Sequence, residues 1–303
     1  MSSTLSTLRR DPQARLGFAF GATVLVVALL GPLAAPQSPL GLVGPTYGLP
    51  GDGTLMGYDY LGRDVWSRLL HGGRSVLWMS FAASVIALAV GAVIGIAAGL
   101  SKRWVDHAVV WGTDVLLAFP DLILVLLVVS MLGREPWLIV LTVAISFVPG
   151  VIRLARGVTL GVVSQEYVEA AKLMGYPWWR IVLLEILPNI STPLLVHLGI
   201  MLTWAIGMLS GLSFLGYGVA PPAADWGLMI NENRAGLMIQ PWAVLAPVAM
   251  IGVFALGTNL LAESVSRAGS RIAVRKGVKS RARTLMRGNK RRLREQQARE
   301  TQP

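Results

Sequence analysis

Apolar residues in this chain come in long blocks, and the polar residues are confined to shorter stretches between them. Six blocks stand out: Leu16 to Ala35, Val76 to Leu100, Ala108 to Leu132, Trp137 to Leu154, Thr192 to Tyr217 and Trp242 to Ala262. Each is about 20 residues long with few charges, enough for a helix to cross a hydrocarbon core of roughly 30 Å. Backbone polar groups must be satisfied within the span, and the blocks lack the alternation of barrel strands. The pattern therefore predicts an all-α, polytopic fold with six transmembrane helices. The first block is too long for the apolar core of a secretory signal, and Pro36 follows the candidate cleavage point Ala35, so it reads as an uncleaved first span.

Charge orients the blocks. Arg9, Arg10 and Arg15, then Lys102 and Arg103, then Arg153, Arg156, Lys172 and Arg180, then the tail all fall on one side, which the positive-inside rule makes the cytoplasm. Both termini are thus expected inside, in a cytoplasmic membrane of bacterial type. Arg63, Arg68 and Arg74 are exceptions on the outer side, partly offset by Asp52, Asp59 and Asp64. The net charge of +11 sits wholly in the tail: from Ser264 onward there are 13 Lys/Arg against Glu295 and Glu300, while the rest balances. Beside a last span, such a tail reads as an anchor to anionic membrane lipid. No aromatic interleaving or nucleic-acid-binding pattern accompanies it, so no nucleic-acid partner is expected.

Within the blocks, Gly91, Gly95 and Gly99 repeat every four residues, as do Gly207 and Gly211, a spacing that lets helices approach closely. Pro120 is expected to kink the third span, directly before Asp121 near its middle. Asp121 and Asp114 are the candidates for a substrate pathway, because an ionisable group in lipid is costly unless it has a task or a partner. His197 reads as a helix-packing group. The chain has no cysteine, its three histidines are scattered, and no G-x-x-x-x-G-K-[ST] loop occurs. Thiol chemistry, a metal enzyme and ATP binding by this chain alone are therefore not expected, and no cofactor or metal is assigned to it.

Between the fourth and fifth blocks lies a stretch suited to a short surface helix. Ser164 is a candidate N-cap, Glu166 sits in the first turn, Gly175 fits a left-handed stop and Pro177 blocks simple continuation. A second helix is expected from Pro177 into Leu187. Helical spacing groups Glu166, Glu169 and Leu173, with Ala170 and Ala171 small enough for another surface to approach.

Glu169-Ala170-Ala171, then Gly175, then Ile186-Leu187-Pro188-Asn189 resembles the EAA loop of bacterial ABC importer permeases. It departs from that pattern at Glu185, where an apolar residue is usual, with Ile186 adjacent. The run from Asp59 through Gly62, Arg63, Asp64 and Arg68 to Ser75, and the segment from Gly211 to Gly218 followed by Pro221, Pro222 and Trp226, resemble the dipeptide/oligopeptide/nickel permeases. The likeness covers about residues 57 to 265. Read without it, Asp59 to Ser75 is an interfacial amphipathic helix with surface ion pairs, and Trp226 an interfacial anchor.

The resemblance implies a permease subunit of an ATP-driven importer, not an enzyme. It implies that Glu166, Glu169, Ala170, Ala171, Leu173 and Gly175 couple to a partner ATPase. The implied partners are a second permease, two ATP-binding subunits that hold ATP and Mg, and an extracytoplasmic substrate-binding protein. Dipeptides or oligopeptides are the expected cargo, with nickel chelates as the alternative and an ion-coupled transporter as a weaker one. The expected division is residues 1–75 with the first span and outer loop, 76–263 as permease core with a coupling loop at 157–190, and 264–303 as a basic cytoplasmic tail.

Overall fold

A computed structural model describes residues 11–51 and 53–268. The basic tail beyond residue 268 lies outside the described residues. The elements are α1 (Pro12–Ala34), α2 (Val65–Leu100), α3 (Arg103–Leu117), α4 (Asp121–Leu132), α5 (Pro136–Val163), α6 (Glu166–Leu173), α7 (Trp178–Phe214), α8 (Trp226–Asn233) and α9 (Trp242–Ala268). Five of them are long and apolar enough to cross a membrane, and α3 with α4 makes a sixth span if the bent pair is counted as one. The all-α polytopic fold class stands.

Local chemistry starts and stops the helices where polar residues allow. Asp11 caps α1 by accepting from the Gln13 N–H, with Pro12 in the first turn, and Asp64 caps α2 by accepting from the Ser67 N–H at 2.8 Å. α2 therefore begins eleven residues earlier than the apolar block suggested, because its first three turns carry polar residues that other parts of the protein bury. α7 likewise begins at Trp178 and runs without a break through the expected join near Thr192.

The α2–α5 contact is the centre of the molecule. A Cβ at Gly95 would stand 2.7 Å from the Ile152 carbonyl oxygen and 2.8 Å from the Ala155 Cβ, and one at Gly91 would stand 2.5 Å from the Val151 Cβ. Backbones this close need glycine. The second glycine pair behaves differently. Nothing in the described protein lies within 4 Å of a Cβ at Gly207, and at Gly211 only Leu122 approaches, at 3.8 Å. An unanticipated close contact joins α1 to α9, where Gly257 would bring a Cβ to 2.8 Å from the Gly21 nitrogen. The outer face of α1 is lined by Phe18, Leu29 and Leu33, all exposed as befits a face turned to lipid.

The third span is not continuous. α3 and α4 meet at 78° across Ala118 to Pro120. Proline at 120 has no N–H to continue the ladder, so the expected kink becomes a full break and Asp121 is the first residue of α4 instead of a mid-helix residue.

Candidate functional site

The segment 164–190 forms a sharply turned, packed corner. α6 starts after Gln165, not Ser164; the Ser164 hydroxyl instead donates back to the Gly161 carbonyl and closes α5. Its stop is as expected. Gly175 has φ +75, its N–H donates to the Lys172 carbonyl at 3.0 Å, and the Tyr176 N–H donates to the Ala171 carbonyl at 3.2 Å. These paired bonds satisfy the last carbonyls of α6 and turn the chain sharply into α7.

Two faces of α6 have separate tasks. Val168 and Ala171 are buried against Ile96 of α2, Ala155 of α5 and Ile181 and Ile186 of α7. Ala171 therefore points into the protein and only Ala170 of the pair faces outward. Glu166, Glu169, Ala170 and Leu173 are exposed, Leu173 at 84%, with Met174 and Trp178 beside them. A short helix in water does not display such a ridge of Leu, Met and Trp without a use for it.

The departure at Glu185 has a structural reason. Residues Val182–Ile186 form a π turn, in which the Leu187 N–H reaches back to the Val182 carbonyl. Ile181, Ile186, Ile190 and Leu194 are all buried. In an α-helix a step of five residues would swing Ile186 away from Ile181, and the π turn absorbs the extra residue so that both face inward. Glu185 is left beside Tyr167, whose phenol is held above its ordinary range by burial and then by the Glu185 charge.

At the opposite end of the molecule, residues 35–64 and 219–241 form a cap around a buried ion cluster. The Asp59 carboxylate accepts from Arg63 Nε at 2.7 Å and Arg68 Nη1 at 2.8 Å, and from the backbone N–H of Leu61 and Arg63. Glu232 on α8 pairs with Nη2 of Arg63 at 2.9 Å and Nη2 of Arg68 at 2.8 Å. Arg68 and Asp59 are fully buried, so the surface ion pairs read from the sequence are interior ones. Asp64 caps α2 and accepts from Thr54 at 2.6 Å, and Gly62 takes φ +80 where the Gly44 backbone presses on it. Trp226 is not an interfacial anchor: it is buried against Gly72 and Gly73, and its indole N–H donates to the Leu69 carbonyl at 2.9 Å. Pro221 and Pro222 are exposed in the turn before α8.

Glu232, Tyr60, Asn233 and Asp225 complete this cap, and sequence reasoning gave none of them a role. The available signal was the surplus of arginine in the segments that the charge pattern assigns to the outer side. Arginines against the positive-inside trend need acids, and one of these is supplied 169 residues away from Arg63. Of the pathway candidates, Asp114 pairs with Arg153 of α5 at 2.5 Å with both side chains about half exposed, and Asp121 stands exposed at the α3–α4 break without joining them.

Comparison with known proteins places this geometry. The family described as binding-protein-dependent transport system inner membrane component matches residues 91–270. A putative peptide transport system permease protein of Brucella suis is 33% identical over 87% of this chain and 90% of its own length. A glutathione transport system permease protein of Pectobacterium atrosepticum is 34% identical over 71% of this chain and 72% of its own length. A dipeptide transport system permease protein of Alkalihalophilus pseudofirmus is 31% identical over 85% of each.

Proposed function

We propose a function from one premise: the chain belongs to the binding-protein-dependent transport system inner membrane component family. It is a multi-pass permease subunit of an ATP-driven importer, and its cargo is a small peptide. Relatives named for peptide, dipeptide and glutathione transport support that cargo class.

The observation that carries the coupling role is the α6–α7 corner. α6 exposes Glu166, Glu169, Ala170 and Leu173 while Val168 and Ala171 fasten it to α7. The outward ridge docks on a partner ATPase subunit, where ATP and Mg bind and hydrolysis occurs; this chain supplies no catalysis. Because Val168 and Ala171 pack on Ile181 and Ile186, a displacement of α6 becomes a displacement of α7. That helix is 37 residues long, so it reaches about 55 Å along its axis. Its far end turns at Gly216 into the segment leading to α8, so the corner and the cap are joined by one continuous helix. ATP-driven closure of two ATPase subunits thereby biases this permease and a second, homologous one between inward-open and outward-open arrangements. In this reading both termini and α6 are cytoplasmic, and a substrate-binding protein meets the cap.

The test is ATP-dependent uptake of a radiolabelled tripeptide by the complete transporter in liposomes. Wild-type uptake should stop when ATP is withheld. Leu173→Arg should abolish both uptake and co-purification of the ATPase subunits while leaving the permease folded. Uptake that persists without ATP, or ATPase association that Leu173→Arg leaves intact, would sink the reading.

A further inference from the structure

Ionisable side chains of the spans gather at one stretch of α5. α4 covers the outer half of that helix, where Val125 and Val129 are buried together with Val140, Val143 and Ala144. At Pro120 the third span turns away by 78°, and the inner half of α5, packed on α2 and paired with α3, keeps one face uncovered. Gly150, Gly157 and Gly161 share the uncovered face by their spacing. Among the described residues nothing lies within 4 Å of a Cβ at Gly157 or Gly161, and at Gly150 only His197 Nε2 of α7 approaches, at 4.0 Å. Arg153 rims this face and donates to Asp114 of α3 at 2.5 Å. Further along, Asp106 and Arg156 form a second ion pair that ties α3 to α5 independently. Arg153 is the eighteenth residue of α5, about 26 Å along it, at the inner end of a hydrocarbon core of roughly 30 Å.

Hydrocarbon, the second permease and a wet passage between the two permeases are the surroundings open to such a face, and its half-exposed charged pair favours the passage. Where this protein meets lipid it presents large apolar groups, as α1 does with Phe18, Leu29 and Leu33. Inner α5 presents three glycines and an arginine, with a histidine beside them and Leu160 as the large apolar group on the rim. Charged groups turned to hydrocarbon are costly, whereas lining a wet passage suits them.

The geometry points to this strip as a binding site for the charged ends of a peptide, with Arg153 taking its carboxylate and Asp114 its ammonium group. The inference rests on the peptide-import reading above. A half-exposed ion pair is screened by water and held weakly, so its members exchange readily for the complementary ends of a zwitterion. The guanidinium fork matches a carboxylate through two parallel N–H bonds. The glycine floor lets the peptide backbone approach the helix, while the Asp106–Arg156 pair keeps α3 in place during the exchange.

A photoreactive benzoylphenylalanine at Gly157, where a side chain has open space, tests this in the complete transporter in liposomes. Tritiated Ala-Ala-Ala loaded inside should crosslink to α5, and N-acetyl-Ala-Ala-Ala-amide should compete poorly for the site. Arg153→Gln and Asp114→Asn should each lower the crosslink yield by about ten-fold or more, the loss of one charge-assisted hydrogen bond. Crosslinking to lipid or to the second permease instead of peptide overturns the proposal, as does a yield that the two variants or end-blocking leave unchanged. ATP-dependent uptake of the same tripeptide by the unmodified transporter separates the two levels. If it is taken up and the crosslink fails, the end-group site alone falls; if it is not taken up, the peptide-import reading falls with it.

Discussion

Individual residues in this protein are constrained most where backbones nearly touch. Gly95 stands against the Ile152 carbonyl, which cannot move without breaking α5, so Gly95→Val should destabilise the purified protein by about 1–3 kcal/mol. Gly252→Ala, with nothing within 4 Å, should leave the melting temperature unchanged or slightly raised. Thermal unfolding in detergent distinguishes the two. Asp225 gives a pH-dependent case. Burial lifts its carboxyl above the ordinary range, against the bonds it accepts from Ser75 and from the Leu228 and Gly227 N–H groups. The folded state thus holds this proton more tightly than the unfolded chain does. Stability from the group is fully present below the unfolded pKa and is lost as pH rises through the folded one. Asp225→Asn, still a competent cap, should remove that loss: melting temperatures of the two proteins should converge in acid, and the variant should gain on wild type as pH rises. An unchanged difference across the range would contradict the assignment. The glycine spacing was legible in the sequence, but not which repeat was used, because spacing cannot name the opposite helix.

At the scale of elements, caps and breakers were the readable part. Gly175 stops α6 as its sequence position suggested, and placing Ala at its φ of +75 should cost about 1–2 kcal/mol and loosen the corner. The π turn was not readable, since five residues of Val, Leu, Glu and Ile fit an α-helix equally well; only the shared burial of Ile181 and Ile186 reveals it. Deleting Glu185 should restore α-helical winding and leave Ile181 and Ile186 on one face, now four residues apart, with the corner held in its present orientation. ATP-driven uptake should then persist, whereas inserting an alanine after Glu185 should turn the corner away from its packing and abolish uptake while the spans still insert, as protease protection in membranes would report. The break at Pro120 was half legible. A kink follows from the missing N–H, but its angle depends on which neighbours hold each half, and α3 is held by the pairing of its Asp106 and Asp114 with Arg156 and Arg153 of α5, whereas α4 is held by apolar packing.

For the whole molecule, the decisive feature is the joining of distant segments at the cap. Arg68 is buried between Asp59 and Glu232, so Arg68→Ala leaves two carboxylates without one of their counter-charges and should cost about 3–5 kcal/mol, measured as lost thermal stability. The sequence by itself determined the membrane environment, the all-α class, the approximate spans and the α6 corner, because each follows from local composition and helix-stop chemistry. It also carried the family likeness. Tertiary structure alone decided that Arg63 and Arg68 are interior, that Ala171 and Trp226 face inward, that Asp114 meets Arg153, and that the face of α5 carrying Gly157 and Gly161 is bare. Those are properties of pairs of segments far apart in the chain, and burial or exposure of a side chain is set by what a distant segment covers, which no local pattern encodes.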